Sequence, residues 1–268
     1  MLHGWIILDK PVGLGSTTAV SAVKRILREA GEPKTKVGHG GTLDPLASGV
    51  LPIALGEATK LCGRMLDATK QYAFTIRFGE ETDTLDAEGE VVAASDVRPT
   101  VEQVEAVLPR FRGEIEQVPP AYSALKIGGK AAYARARAGE EVELKARVVT
   151  VHALTLLPGT GRGTATRSGV VEGAQRSAAS TEGPLDHAPH GPPPRSGEDQ
   201  ITLSATVSKG TYIRSLARDI ARALGTVGHV TYLRRTRAGP FSLESAISLD
   251  FLEEAAKARA LTRTVLPL

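Results

Sequence analysis

The sequence predicts a fold that mixes α-helices and β-strands. Apolar and polar residues alternate in residues 71–78 and again in residues 201–208, which is the pattern of strands that bury one face. Apolar residues recur at helical spacing in residues 17–30 and 213–224, which predicts two helices that each bury one side. Because 41% of the 268 residues are hydrophobic, we expect one large domain, or one domain with a small appendage.

The composition excludes several classes of protein. Cys62 is the single cysteine, so an intramolecular disulfide and a zinc site built from several cysteines are both excluded. No apolar run has the length of a membrane span, and we expect neither a transmembrane helix nor a secretory signal. These features predict a cytoplasmic protein. The net charge is only +3, so its meaning depends on where the basic residues lie along the chain.

The first elements are predicted to be a strand, a helix, a second strand and a helical turn. Residues 3–9 form an apolar run typical of a strand. Ser16 is a favourable N-cap for the helix over about 17–30. Residues 49–55 are apolar and predict a buried strand, and residues 56–66 have a helical pattern.

One carboxylate, Asp44, lies in a glycine- and proline-rich stretch between the first helix and the buried strand. Pro45 disfavours the α conformation at Asp44 and pushes it toward an extended shape. Gly38, Gly40 and Gly41 allow backbone turns and the close approach of another chain. The stretch therefore predicts a stiff loop that presents one acid at a fixed place. The alternative is an ordinary loop with a surface aspartate.

An acidic string, T-D-T-L-D-A-E-G-E, follows the strand over 71–78. The spacing does not fit an EF-hand calcium loop, because a count from Asp83 places Leu85 at the third ligand position. We therefore predict a hairpin turn at Gly89. Thr100 is predicted to cap a helix that continues to about Leu108.

Two segments of the second half differ from the rest in composition. Residues 130–147 carry mixed charges, which by themselves indicate a solvated amphipathic surface, and a tight turn is predicted at Gly128-Gly129. After an apolar strand over 148–157, about half of residues 158–200 are Gly, Pro, Ser or Thr and none is aromatic. Such a segment buries too little apolar surface to offset its ordering entropy, so we predict a disordered insertion between two strands.

The basic excess lies near the C-terminal end. Between Val207 and Ala238 there are seven Lys or Arg residues and one acid, Asp219. Three arginines of the helix over 213–224 follow one another at four-residue intervals and form one row: Arg214, Arg218 and Arg222. A strand is predicted over 227–237 and ends in further arginines. This pattern favours a surface that binds a polyanion, and the alternative is a solvated basic face.

Four motifs together resemble the TruB family of tRNA pseudouridine-55 synthases, whose relatives include dyskerin. In chain order they are D-K-P-x-G, the Asp44 loop, the Tyr72 strand with T-D-T-x-D-A-x-G, and K-G-T-Y-I-R with Y-L-R-R. They cover most of residues 5–240. Any one of them would be moderately specific, and together they are highly specific.

The resemblance implies an α+β fold with a central mixed, mainly antiparallel sheet, flanking helices and an RNA-binding cleft. Residues 1–240 would form the catalytic domain, with a thumb-like RNA-contacting segment over about 117–147. Gly239-Pro240 marks a boundary, and residues 244–262 have the pattern of a short helix pair. Residues 241–268 would be a short helical tail that lacks the full-length RNA-binding domain of longer family members.

The resemblance also implies the catalytic residues. Asp44 would be the catalytic aspartate, and Arg214 would be an active-site arginine that favours the ionised form of Asp44. Asp86 matches a carboxylate that bridges to this arginine. Tyr72 matches a residue that stacks on the target base and moves the C5 proton.

The remaining expected residues contact the substrate. Tyr212 and Leu233 match residues that line the pocket, and His39 resembles the residue that fills the space vacated by the flipped base. The alternative for His39 is a local hydrogen bond within its loop. From the first motif and the basic cluster we expect three further contacts: Lys10, Arg218 and Arg235.

The implied reaction needs no cofactor and no metal, because uridine isomerisation adds no group and changes no oxidation state. The implied partner is the T-arm of tRNA, and a monomer is expected. A nucleophilic attack by Asp44 and an elimination to a glycal remain equally open. The alternative function is a non-catalytic RNA-binding or RNA-folding protein on the same scaffold.

Overall fold

A computed structural model of the chain describes residues 2–123, 125–127, 130–132, 135, 138, 140, 144–157 and 199–268. Its helices are α1 (Ser16–Glu29), α2 (Cys62–Asp67), α3 (Val101–Val107), α4 (Ile213–Ala223) and α5 (Leu249–Lys257). Its strands are β1 (Gly4–Lys10), β2 (Val37–His39), β3 (Ser48–Leu55), β4 (Lys70–Phe78), β5 (Glu80–Thr82), β6 (Val91–Ala94), β7 (Gly113–Gln117), β8 (Lys126–Ile127), β9 (Lys130–Ala131), β10 (Arg147–Leu156), β11 (Gln200–Val207), β12 (Gly228–Ala238) and β13 (Phe241–Ser242).

One large mixed sheet organises the molecule. Its strand order is β1-β3-β12-β4-β11-β10-β7, with β2 on β3 and β13 on β12. Every pair is antiparallel except β12 with β3, which run parallel and meet at Arg234↔Ser48 and Arg235↔Gly49. The α+β prediction, with a mainly antiparallel sheet, is therefore confirmed.

Strand β4 lies in the middle of this sheet and shows how the alternation positions a functional residue. Phe74, Ile76 and Phe78 point to one face and belong to the largest apolar cluster, which also includes the buried side of α4. Tyr72 has the same parity and packs against that cluster at its edge. The period of two therefore brings the Tyr72 ring to the face that α4 covers.

A second apolar cluster lies under α1 and the C-terminal segment. It joins the buried side of α1 to β1, β3 and Leu252 of α5. The backbone of the C-terminal segment also bonds to β1, through Ile247 to Ile7 and through Leu266 to Trp5. The sequence predicted a helix pair here, but the structure has one α-helix between short 3-10 helices at Leu243–Ser245 and Leu261–Thr264.

Most other predicted elements are confirmed, with a second correction at the start of α1. Thr100 caps α3 in a capping box with Gln103, as its position indicated. Ser16 is not an N-cap, because the helix is preceded by Gly15 and the Ser16 hydroxyl is bonded elsewhere. The 83–90 segment connects the antiparallel strands β5 and β6, which confirms the predicted hairpin.

Several predictions fall outside the described residues. The tight turn at Gly128-Gly129 lies there, as do residues 158–198 of the predicted disordered insertion. The thumb-like segment is described only in part, and the division at residue 240 stays a prediction. None of the helices in the described part of the chain has the length and apolar composition needed to cross a membrane.

The parallel contact of β3 with β12 depends on Gly49. Its φ is +101°, and a Cβ there would lie 2.2 Å from the carbonyl oxygen of Arg235. We predict that Gly49→Ala lowers the free energy of unfolding by about 3 kcal/mol or more, because it adds backbone strain to a steric clash. Chemical denaturation measures this loss. Gly63→Ala in α2 is the matched control, since nothing lies within 4 Å of a Cβ there. An equal loss in both variants would contradict the prediction.

Candidate active site

A cavity of about 310 Å³ opens on the face of the sheet that α4 covers. Its wall combines the Asp44 loop, strand β4, the turn before α4 and the first residues of α4. The side chains that matter for the chemistry are Asp44, Lys70, Tyr72, Tyr212, Arg214 and Leu233. The volume lies at the lower end of the ~300–1,000 Å³ typical of small-molecule sites, which suits a single flat ring.

Arg214 connects two carboxylates at this cavity. Its Nη2 lies 2.8 Å from Oδ2 of Asp44, and its Nη1 lies 3.2 Å from Oδ2 of Asp86. The side chains of Arg214 and Asp86 are 6% and 4% exposed, whereas that of Asp44 is 34% exposed. The structure therefore brings the three predicted residues together and leaves one of them, Asp44, open to a ligand.

Main-chain oxygens also bind the two terminal nitrogens of the guanidinium. Nη1 donates to the carbonyl of Thr84 at 2.8 Å, and Nη2 donates to that of Tyr122 at 3.0 Å. On the other side, Oδ1 of Asp86 accepts from the Thr84 hydroxyl at 2.6 Å and from the backbone N–H of Glu88 at 3.1 Å. These bonds hold Arg214 in one orientation, which a carboxylate partner alone would not do.

Glu88 adds a further carboxyl near this network. Burial raises the pKa of Glu88, the negative charges of Asp86 and Asp44 raise it further, and Arg214 opposes the shift. The segment from Asp86 to Glu88 therefore concentrates acidic groups around one arginine.

Three buried polar side chains hold the loop on both sides of Asp44. The Ser16 hydroxyl donates to the carbonyl of Leu43 and accepts from its N–H, both at 2.9 Å. Lys10 Nζ donates to the carbonyl of Pro45 at 3.2 Å. Arg235 donates to the carbonyls of Thr42 and Gly41 at 3.1 and 3.2 Å. Because buried polar groups are costly when unpaired, these contacts favour a single loop conformation.

These bonds also show where two side chains that were predicted to touch the substrate lie. Lys10 is 0% exposed, and its other two bonds go to the carbonyls of Pro11 and Leu14. Arg235 is 1% exposed; it borders the cavity, but its nitrogens donate to protein carbonyls, including that of Val50. Both cations are already desolvated and bonded within the protein, so they position the loop, and their contact with a substrate stays a prediction.

The arginines of the row on α4 also have acidic partners within the protein. Arg218 pairs with Asp219 at 2.8 Å, and Arg222 pairs with Glu81 at 3.0 Å. The side chain of Arg218 is 12% exposed and also donates to the carbonyl of Val118, and its contact with RNA stays a prediction. Asp219 is the one acid near these cations in the sequence, but the fold also brings Glu81 from a distant segment against the row.

The predicted pocket residues Tyr72, Tyr212 and Leu233 all line the cavity. His39 lies on β2, where its Nδ1 accepts from the N–H of Gly41 at 3.4 Å. Burial lowers the pKa of His39, and the charge of Arg235 lowers it further, which favours the neutral ring that this bond requires. The local bond fits the alternative offered for His39, and its role toward RNA stays a prediction.

Lys70 also lines the cavity, although it was not among the residues predicted for the site. Its Nζ donates to the carbonyls of Met65, Leu66 and Ala68 at the end of α2. Burial lowers the pKa of Lys70 to about 8, and Arg235 adds to the shift. A signal was present, because Lys70 has the parity of Tyr72 and Phe74, and a lysine on the buried face of a strand needs internal partners.

Comparison with known proteins identifies the class. A model described as TruB family pseudouridylate synthase (N terminal domain) matches residues 24–174. A second model, described as tRNA pseudouridylate synthase B C-terminal domain, matches residues 214–268.

Sequence relatives agree with these matches. The tRNA pseudouridine synthase B of Novosphingobium aromaticivorans is 60% identical over 268 residues, which cover all of this chain and 78% of the relative. That of Zymomonas mobilis subsp. mobilis is 58% identical over 267 residues, with 76% of the relative covered.

A solved structure supports the fold. A structure of an H/ACA RNP bound to a substrate RNA containing 2′-deoxyuridine matches with a TM-score of 0.62 and 26% identity. The match covers 99% of this chain and 59% of the other. The fold and the matches together define a pseudouridylate synthase, which is an isomerase. The chain belongs to the TruB family of these enzymes, whose reaction is pseudouridine synthesis in tRNA.

The position of the Asp44 loop depends on Ser16. We predict that Ser16→Ala lowers the free energy of unfolding by about 1–3 kcal/mol, because the N–H and C=O of Leu43 lose a buried partner. Ser21→Ala on the exposed side of the same helix is the matched control, since its hydroxyl bonds only to the Thr17 carbonyl. Urea denaturation compares the two variants, and equal losses would contradict a special role for Ser16.

Lys10 predicts a pH dependence of stability. Burial lowers its pKa from 10.5 to about 8, against the opposing charge of Asp44. Between these two values the unfolded chain binds the proton and the folded chain does not, so the stability contributed at Lys10 rises with pH.

We therefore expect the unfolding free energy of wild type minus that of Lys10→Met to become more positive from about pH 8 to pH 10.5. Denaturation at a series of pH values measures it. Lys24→Met, at an exposed position of α1, controls for the loss of one lysine. A difference that shrinks across this window would contradict the assignment.

Proposed function

We propose that this chain isomerises the T-loop uridine of tRNA to pseudouridine, with Asp44 as the reacting carboxylate. The observation that carries the proposal is the 2.8 Å pair of Asp44 with the buried Arg214 at a cavity that Tyr72 and Tyr212 also line. A binding protein would not need a partly exposed acid held in this way.

The reaction breaks the bond between ribose C1′ and uracil N1 and forms a bond between C1′ and C5. The uracil turns between these steps, N1 gains a proton, and the proton on C5 is released. No electron leaves or enters, so the atoms balance without a redox partner. The enzyme must supply a group for C1′ or the base, a base for the C5 proton, and a site that keeps the detached uracil in place.

Asp44, Arg214 and Asp86 have different roles, because only Asp44 is substantially exposed. Asp44 is the only member of the network with an open face, so it meets the nucleotide, either by attacking it or by promoting elimination. Arg214 orients Asp44 through a charge-assisted bond. Asp86 is nearly inaccessible and balances the charge of Arg214 from the opposite side, so we assign it a positioning role.

The aromatic residues address the cost of extracting the base. The target uridine lies in a folded loop, and flipping a base out costs a few kcal/mol. Stacking on an aromatic ring returns roughly 1–3 kcal/mol per base. Tyr72 and Tyr212 both line the cavity, so stacking there offsets much of the cost. Tyr72 also carries a hydroxyl that relays the C5 proton to water, by taking it on oxygen as its own proton leaves, if that oxygen faces the base.

Release of tritium from tRNA labelled at uridine C5 tests the proposal. Wild type should release tritium, and Asp44→Asn should lose at least about 10³-fold in rate, because an amide neither attacks nor carries the charge. Filter binding should show tRNA affinity within about twofold of wild type. Asp67→Asn is the matched control, since Asp67 is exposed and paired with Lys209 on the surface.

The outcomes separate the alternatives. Release at equal rates by wild type and Asp44→Asn would overturn the catalytic assignment and favour an RNA-folding protein on the same scaffold. A transcript with cytidine at the T-loop position should release no tritium. Release from that transcript at the wild-type rate would overturn the T-arm assignment while leaving the reaction class intact.

A further inference from the structure

Tyr212 occupies an unusual place at the start of α4. It is the N-cap residue, yet its side chain accepts no capping bond. Ser, Thr, Asp and Asn are the residues that satisfy the first N–H groups of a helix from this position, and tyrosine does not. Its ring lines the cavity instead. The position of the ring in the cavity therefore comes at the expense of a local helix cap, and another group must hold the main chain.

Gln117, the last residue of β7, provides that hold. Its side-chain oxygen accepts from the N–H of Tyr212 at 2.8 Å, and its amide nitrogen donates to the carbonyl of Tyr212 at 3.1 Å. Gln117 is 1% exposed, so both bonds lie in a dry environment where a missing partner is costly. The same carbonyl also accepts from Leu216 in the first turn of α4. The amide of Gln117 therefore fixes both the Tyr212 peptides and the start of the helix.

Arg147 contacts the side chain of Tyr212. It lies directly opposite Gln117 in the β7–β10 pair. Its guanidinium carbon lies 4.9 Å from the centroid of the Tyr212 ring, and its Nη2 donates to the carbonyl of Gly210. A guanidinium at this distance attracts the face of the ring and restricts its tilt. One cross-strand pair therefore holds the main chain and the ring of Tyr212.

We propose that Gln117 and Arg147 are positioning residues for pseudouridine formation, which act by setting the place of Tyr212 against the base. Among the described residues that line the cavity, neither Gln117 nor Arg147 is present, so their effect passes through Tyr212. The inference rests on the proposed function, because it assigns the ring of Tyr212 to the substrate. It adds two residues that belong to neither the acidic network nor the aromatic pocket.

The same pair also controls the acid. Arg214 follows Tyr212 by two residues, and a shift of the helix start would move its guanidinium relative to Asp44. Further bonds tie the chain beyond Gln117 to α4, since Ser215 donates to the carbonyl of Val118 at 2.8 Å. Loss of the Gln117 amide should therefore slow the chemical step more than it weakens tRNA binding.

The first experiment replaces Gln117 by an apolar residue of similar shape. Gln117→Met should lower the single-turnover rate of tritium release by about tenfold or more, with tRNA affinity within about twofold of wild type. Gln103→Met is the matched control, because Gln103 is an exposed glutamine that also bonds to main chain, in the cap of α3. It should keep the wild-type rate. Wild-type rate in Gln117→Met would overturn the role of Gln117.

The second experiment tests whether Arg147 acts through the ring. Arg147→Met should slow single-turnover release by about threefold or more in the wild-type background, and should have no further effect in a Tyr212→Ala background. Lys145→Met, an exposed cation on the approach to β10, controls for the loss of charge. Equal slowing by Arg147→Met in both backgrounds would overturn the inference, because a merely structural residue would act without the ring.

Two further readouts keep the result interpretable. Thermal unfolding shows whether each variant is folded. If Gln117→Met does not fold, the comparison of Arg147→Met in the wild-type and Tyr212→Ala backgrounds tests the inference alone. If wild type releases no tritium, the proposed function fails. If wild type and the controls turn over and both variants do so at full rate, only this inference fails.

Discussion

The structure depends on one guanidinium held between two carboxylates. Arg214 is almost fully buried, and its removal from water is offset by Asp44 and Asp86, which pair with different nitrogens, and by the carbonyls of Thr84 and Tyr122. Loss of one partner of a buried pair typically costs about 3–5 kcal/mol. The three residues come from the Asp44 loop, the β5–β6 hairpin and α4, so the site exists only when the sheet has brought these segments together.

Three buried cations near the cavity hold the backbone around it. Lys10, Arg235 and Lys70 each donate to carbonyls of loops or helix ends. A loop that presents a catalytic acid has few backbone partners of its own, because glycine and proline interrupt regular structure. Long basic side chains reach such carbonyls from neighbouring strands, and their burial explains the lowered pKa of Lys10 and Lys70.

Two residues near the cavity depart from the local preferences of their residue type. Leu85 adopts a positive φ of 62° immediately before Asp86, which a leucine rarely does. Tyr212 begins α4 without a side-chain cap. In both cases tertiary contacts replace the local preference, through the backbone bond of Leu85 to Val230 and through the amide of Gln117.

The sequence by itself determined the elements and the chemistry-bearing residues. Periodicity located the strands over 71–78 and 201–208 and the helices over 17–30 and 213–224, because one buried face imposes a repeat that is visible locally. The motif resemblance selected Asp44, Tyr72, Asp86 and Arg214 together. These features depend on local pattern or on residue identity at known spacing, so they required no coordinates.

Only the tertiary structure decided which polar side chains face inward. Ser16 had the sequence of a helix cap but bonds the Asp44 loop, and Arg222 belonged to a basic row but pairs with Glu81 of β5. Lys10 and Arg235 were expected to contact the ligand, and the structure shows that both are buried and bonded to carbonyls of the loop. The physical reason is that the partner of a charge or hydroxyl is set by proximity in space, and strands distant in sequence supply carbonyls and acids that no local pattern reveals.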